Sequence, residues 1–116
     1  MSTWDEHILS SDVNTDFLDE LADLEDEDIV EAVRDAVMLA ASGDASGDEE
    51  SNGLAAATIA AIWAGAPFTA GEIITEYPFI RSLAGSGDEE LHEKAADLLE
   101  SVEDEVDLEP FTEALS

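Results

Sequence analysis

The sequence predicts an all-α protein, a single small domain over residues 1–116 with five or six helices packed around an Ala-rich central helix. Three observations support this prediction. Apolar residues recur at intervals of three and four, no stretch alternates with period two long enough for a strand, and helix-capping patterns flank the apolar segments. The 116 residues suffice for one core but not for two. An apolar fraction of 45% argues against disorder.

Two amphipathic helices are expected in the first third of the chain. The apolar stripe of the first consists of Phe17, Leu18, Leu21 and Leu24. The stripe of the second consists of Ile29, Val30, Val33, Val37, Ala40 and Ala41. We expect the first helix to follow a cap at Asn14 or Thr15, and the second to begin at Asp26 or Asp28, because such side chains accept hydrogen bonds from helix-start amides. Gly43 is expected to end the second helix.

The uncharged run from Leu54 to Phe68 predicts the buried central helix, with Trp63 as a structural core residue. A capping box at Ser46…Glu49 precedes it, and Gly65 and Pro67 are expected to end it. The run is too short and too rich in Ala for a membrane span, so we expect no contact with a membrane.

Three helices are expected in the remainder. Pro78 should end or kink a short helix over about 70–77, after which Phe79, Ile80 and Leu83 continue the apolar face. Further capping boxes occur at Thr69…Glu72 and Ser86…Glu89. A long helix is expected to bury Leu91, Ala95, Leu98, Leu99, Val102 and Val106. A last short helix should begin near Pro110 and carry Phe111 and Leu115.

The charge excludes several classes of function. The chain has 31 acidic residues against Arg34, Arg81 and Lys94, a net charge of −28. So few cations argue against binding to nucleic acid or anionic lipid, and against an enzyme for anionic substrates.

No GxSxG, HExxH or phosphate-binding loop is present. The lack of Cys excludes disulfides, zinc-thiolate sites and thiol catalysis. We therefore expect no enzymatic activity and no cofactor, and a cytoplasmic protein, since no leader pattern opens the chain.

Two interpretations of the acidity stay open. In the first, the protein is an interaction module that binds a basic protein partner, in the manner of an immunity or inhibitor protein or of a nucleic-acid mimic. The net charge is −12 over residues 1–41 and −11 over 88–116, which directs a partner to the terminal helices. The candidate partner-binding residues are Asp16, Asp19, Glu20, Asp23, Glu93, Asp97, Glu100 and Glu103. In the second, the charge keeps the protein soluble in a salt-rich cytoplasm and does not serve to bind a specific partner.

A weaker alternative is calcium binding by a loop over residues 44–55. Oxygen-bearing side chains occupy positions 1, 3, 5 and 9 of this segment, as in an EF-hand. Glu49 stands where the EF-hand needs Gly, and Ala55 where it needs a bidentate Glu. The two histidines, His7 and His92, stand alone, and we expect each to be solvated or on a helix surface rather than a metal ligand.

Structural roles are expected for both arginines. Arg34 and Arg81 should each pair with a carboxylate and join neighbouring helices. A dimer, if one forms, should use the nearly neutral region 67–83, where Phe68, Tyr77 and Phe79 could expose apolar surface. A monomer is the alternative.

The N-terminal residues Thr3, Trp4, Asp12, Asp16, Phe17 and Leu21 fit a family pattern. The chain resembles a family of short bacterial proteins of unknown function that open Met-Gly-Ala/Thr-Trp-Gly and continue through a Phe-x-Asn-Asp segment into an acidic first helix. The run from Leu54 to Gly65 is similar to the family's Ala-rich middle helix. The resemblance implies a small helical domain with Trp4 docked into the core, and it supplies no activity. Phe17 is expected to be structural as part of the apolar stripe of the first helix.

Overall fold

A computed structural model describes residues 8–9, 11–43, 46–65, 75–83, 85, 89–100 and 109–115. Over these residues the chain forms helices and no strand, which confirms the all-α prediction. The helices are α1 (Asp12–Ala22), α2 (Asp26–Ser42), α3 (Gly47–Trp63), the single turn α4 (Phe79–Ser82), α5 (Glu89–Glu100) and α6 (Glu109–Leu115). None of these helices is both long enough and apolar enough to cross a membrane.

The Ala-rich helix α3 lies at the centre, as predicted. It packs against each of the other five helices, and every residue from Ala55 to Trp63 is buried. Its start has the predicted capping box. The amide of Glu49 donates to Oγ of Ser46 at 3.3 Å, and the amide of Ser46 donates to Oε1 of Glu49 at 3.1 Å. These bonds satisfy two helix-start amides that lack an intrahelical partner.

The contact between α2 and α3 is unusually close at Gly53. A Cβ added there would collide with Cβ of Ala40 and lie 3.0 Å from the carbonyl oxygen of Ala36. Gly53 has no Cβ, so α2 can approach the backbone of α3 directly at this point. The residue therefore sets the separation of the two longest described helices.

The predicted N-terminal cap of α1 was wrong. The helix begins after Ser11, so Asn14 and Thr15 lie within its first turn. Asn14 is fully buried, and its Nδ2 donates to the carbonyl oxygen of Ile8 at 2.6 Å. The capping preference of Asn is a local tendency, and here the tertiary hydrogen bond to Ile8 outweighs it.

The predicted bounds of α2 were more accurate. The helix begins at Asp26, one of the two expected positions, and ends before Gly43. Gly43 has φ 83°, the left-handed conformation that terminates helices and that L side chains rarely adopt. The stripe residues Ile29, Val33 and Val37 are buried, as expected. By contrast, Leu24, expected on the stripe of α1, follows that helix and is exposed.

The aromatic residues after α3 are buried, contrary to the expected apolar surface. Tyr77 and Phe79 are 5% and 7% exposed, and their rings form an edge contact at a centroid distance of 6.1 Å. Both belong to the core together with Ile80, so they offer no surface to a second copy. Phe68 lies outside the described residues, as do residues 70–74 of the helix expected over about 70–77, of which Thr75 and Glu76 are helical. Two of the three side chains that suggested a dimer through 67–83 are therefore buried.

The end of the chain agrees with the prediction where it is described. α5 buries Leu91, Ala95, Leu98 and Leu99, and α6 buries Phe111 and Leu115. The expected continuation of α5 to Val102 and Val106 lies outside the described residues, as do the capping boxes at Thr69…Glu72 and at Ser86.

Candidate acidic interaction surface

The exposed side of α1 carries a row of carboxylates. Asp12, Asp16, Glu20 and Asp23 follow one another at spacings of four, four and three residues, and all four are exposed. Residues at these spacings lie on one face of a helix. Asp19 stands beside the row and is also exposed.

Helix α5 repeats the arrangement. Glu89, Glu93, Asp97 and Glu100 have the same spacings of four, four and three residues and are all exposed. The opposite side of α5 carries its buried residues. The amphipathic periodicity that buries one side of the helix therefore displays the other as a second acidic row.

Helix α2 carries a third acidic row, which the sequence analysis did not include in the candidate surface. Glu27, Glu31 and Asp35 are exposed and lie four residues apart. The signal was present in the sequence, since the spacing is that of the other two rows. Helix α2 packs against both α1 and α5, so the third row lies on a helix that contacts both helices with acidic rows.

Arg34 joins two of these helices. Its Nη2 donates to Oε2 of Glu90 at 3.2 Å, which connects α2 to α5. The predicted carboxylate partner of Arg34 is thus found on a neighbouring helix, and the two side chains are 41% and 60% exposed. A pair exposed to this degree contributes about 0–1 kcal/mol to stability.

The candidate residues on α1 and α5 are all exposed, and one of them, Asp19, accepts a hydrogen bond from a core side chain. Asp16, Glu20, Asp23, Glu93, Asp97 and Glu100 lie on the outer faces of their helices. Oδ1 of Asp19 instead accepts a hydrogen bond from the Tyr77 hydroxyl at 2.6 Å. Glu103 lies outside the described residues. The sequence could not identify the Tyr77–Asp19 pair, because its members are 58 positions apart and any acid could have served as acceptor.

The surroundings of Tyr77 oppose its ionisation. The hydrogen bond to Asp19 is the main cause that raises the pKa of Tyr77 to about 12. Burial adds to the shift, as do the negative charges of Asp19, Glu76 and Asp16. The neutral phenol, which keeps its proton to donate, is therefore the stable form at any physiological pH.

The calcium alternative at residues 44–55 is wrong in its geometry. Residues 47–55 belong to α3, with Ser46 as its cap, so their side chains point outward along a helix and do not encircle an ion as an EF-hand loop does. Asp44 lies outside the described residues. Within the described part of the chain, no three His, Asp or Glu side chains converge as a metal site needs. His92 lies half-buried on α5, and His7 lies outside the described residues.

The expected structural residues have mixed outcomes. Trp63 is 2% exposed in the core, and Phe17 packs against the core while half-buried. Arg34 pairs with a carboxylate, as described above. Trp4 and the side chain of Arg81 lie outside the described part of the chain.

Comparison with known proteins adds a family and no activity. The family model described as "Domain of unknown function (DUF4259)" matches residues 2–111. No curated protein and no solved structure matches the chain.

Proposed function

The chain belongs to the DUF4259 family, and because that description assigns no function, we propose one from the molecular surface. The protein is a non-enzymatic interaction module that binds a basic protein partner through its acidic rows. The observation that carries the proposal is the repeated row: the four-four-three spacing on α1 and on α5, with a shorter row on α2, the helix that packs against both. The bacterial origin and cytoplasmic location expected from the sequence stay part of this proposal.

The rows are unfavourable for the isolated protein, which supports a role in binding. Acid pairs four residues apart number three on α1, counting its cap Asp23, and two each on α2 and α5. Like charges at this spacing destabilise a helix by about 0.2–0.5 kcal/mol per pair, so the rows together cost about 1–4 kcal/mol. A basic partner would relieve this repulsion, and the field of the rows would accelerate its association.

The density of charge on α1 supports a partner that normally binds nucleic acid. From Asp12 to Asp23 the helix axis rises about 16 Å, at 1.5 Å per residue. The five carboxylates in this interval follow one another at about 4 Å of axis, and one DNA strand carries a phosphate every 3.4 Å or so. A basic groove made for phosphates could therefore accept the α1 face. An immunity-like or inhibitor-like partner with a basic active site fits the same surface.

The test is affinity capture at low salt with three matched variants, each losing three negative charges. The α1 variant is D16N/E20Q/D23N, the α5 variant is E93Q/D97N/E100Q, and the control is E25Q/D48N/E50Q, whose changes lie at exposed positions outside the rows. We expect a partner that the wild type and the control retain, that the row variants lose, and that moderate salt releases. Equal retention by all three variants would show simple ion exchange and refute the proposal.

A second candidate function is favoured by the acids outside the rows. Asp48, Glu49 and Glu50 at the start of α3, and Glu113 on α6, are exposed as well. Acidic residues spread over the surface in this way are typical of a halophilic protein, in which the charge provides solubility and does not bind a specific partner. Thermal melting between 0.15 and 3 M KCl distinguishes the two candidates. A halophilic protein should continue to gain stability toward molar salt, whereas screening of the rows alone should saturate by about 1 M, where the Debye length is roughly 3 Å.

A further inference from the structure

Residues 75–83, called the Tyr77 segment below, attach to the helical body in two ways. The first is apolar, since Tyr77, Phe79 and Ile80 are at most 7% exposed. The second is polar: the Tyr77 hydroxyl donates to Oδ1 of Asp19 at 2.6 Å. Asp19 is exposed on α1. This bond therefore joins a buried side chain of the segment to a charged residue that solvent and solutes can reach.

The strength of this bond depends on the charge of Asp19. A hydrogen bond to a carboxylate is roughly twice as strong as one between neutral groups. Of the other charged groups that act on the Tyr77 hydroxyl, Glu76 and Asp16 are also acidic. Positive charge arriving at this place would thus find several carboxylates, and in neutralising Asp19 it would weaken the acceptor of the buried phenol.

We propose that the Tyr77–Asp19 hydrogen bond is a charge-operated latch: negatively charged Asp19 holds the Tyr77 segment on α1, and a cationic group that neutralises Asp19 loosens the segment. The cationic group would belong to the partner proposed above, and in this respect the inference rests on the proposed function. Because coupling between two equilibria is reciprocal, the held segment opposes binding of the cation. Removal of the latch should therefore strengthen the binding of a polycation.

The first test needs no partner. The amides of Ile80, Ser82 and Leu83 donate to carbonyl oxygens within the segment, so their hydrogen exchange reports its opening. We compare the wild type with D19N, which removes the charge and keeps an acceptor, with Y77F, which removes the donor and keeps the ring, and with E20Q, which removes a charge one residue away. D19N and Y77F should exchange about five to ten times faster at these amides, and E20Q at the wild-type rate.

The comparison of D19N with E20Q decides the latch even if Y77F folds poorly. If D19N exchanges no faster than E20Q, the charge of Asp19 does not hold the segment and the proposal is wrong. The amide of Ile59, a fully buried residue in the interior of α3, serves as the reference for global opening. Acceleration at Ile59 equal to that at Ile80 would mean general destabilisation and would also overturn the latch.

The second test uses a decalysine peptide at low salt as the cationic probe. Bound to the wild type, it should accelerate exchange of the segment to the D19N level, with no further effect on Y77F, and it should bind Y77F two- to fivefold more tightly than the wild type. Binding by calorimetry without a change in exchange would overturn the coupling. Failure of the peptide to bind the wild type would instead count against the proposed function, while the D19N result still decides the latch.

Discussion

Gly53→Ala tests whether the closest contact of the fold is essential. The new Cβ would collide with Cβ of Ala40 and approach the carbonyl oxygen of Ala36 to 3.0 Å, whereas carbon atoms in contact prefer 3.5–4.0 Å. Neither neighbour can rotate away, because one is the first atom of its side chain and the other belongs to the backbone. Helices α2 and α3 must then separate along their contact.

The expected net loss is about 2 kcal/mol. Overpacking of a core costs about 1–3 kcal/mol, and we take the upper value because both colliding atoms are fixed. Replacement of Gly by Ala within a helix returns about 1 kcal/mol. For a chain of this length the difference lowers the melting temperature by roughly 6–12 °C. Thermal unfolding followed by circular dichroism at 222 nm measures it directly.

Gly47→Ala is the matched control. Gly47 begins the same helix, and a Cβ there would meet nothing within 4 Å, so this variant should be as stable as the wild type or up to about 1 kcal/mol more stable. Ala40→Gly in the Gly53→Ala background removes one of the colliding atoms. The double variant should be more stable than the sum of the single effects. Gly53→Ala melting at or above the wild type would refute the close-contact argument.

Three further predictions follow from polar contacts. Tyr77 is the sole tyrosine, so the absorbance near 295 nm should follow its ionisation, near pH 12 in the wild type and closer to pH 10 in D19N. Because the pKa of Tyr77 is higher in the folded than in the unfolded protein, the hydrogen bond stabilises the fold below pH 10, and this stabilisation is lost between pH 10 and 12. After solvent screening it amounts to about 1 kcal/mol. If Tyr77 titrated at the same pH in D19N as in the wild type, the hydrogen bond to Asp19 would not be the cause of its raised pKa. Asn14→Ala should lower the free energy of unfolding by about 1–3 kcal/mol, because the buried carbonyl of Ile8 loses its donor, with chemical denaturation as the measurement. Glu90→Gln should lose up to about 1 kcal/mol at low salt and less at high salt, while E89Q, an exposed neighbour, should lose nothing.

The parts of the fold that follow from local patterns could be predicted from the sequence. The capping box at Ser46 and Glu49 and the left-handed Gly43 both depend on a few adjacent residues. The central position of α3 follows from the uncharged run after its first turn, which is typical of a buried helix.

The contacts between distant residues could not be predicted. Arg34 had many acids available, and the choice of Glu90 depends on how α2 and α5 pack. The same holds for Tyr77 and Asp19. The close approach of α2 at Gly53 is a tertiary property that local helix propensity does not contain. The site was likewise predicted as individual acids, and the row on α2 was missed although its spacing of four residues is present in the sequence.

The separation of charge from core makes the surface proposals testable without loss of the fold. α3 packs against all five other helices, and its buried residues are apolar except Gly53 and Thr58. The acids of the three rows are exposed on the outer helices and contribute no side chain to that core. Their conversion to amides should therefore relieve repulsion and leave packing unchanged, so the row variants should be at least as stable as the wild type. A row variant that loses binding while gaining stability would show that its carboxylates serve recognition at the expense of the fold.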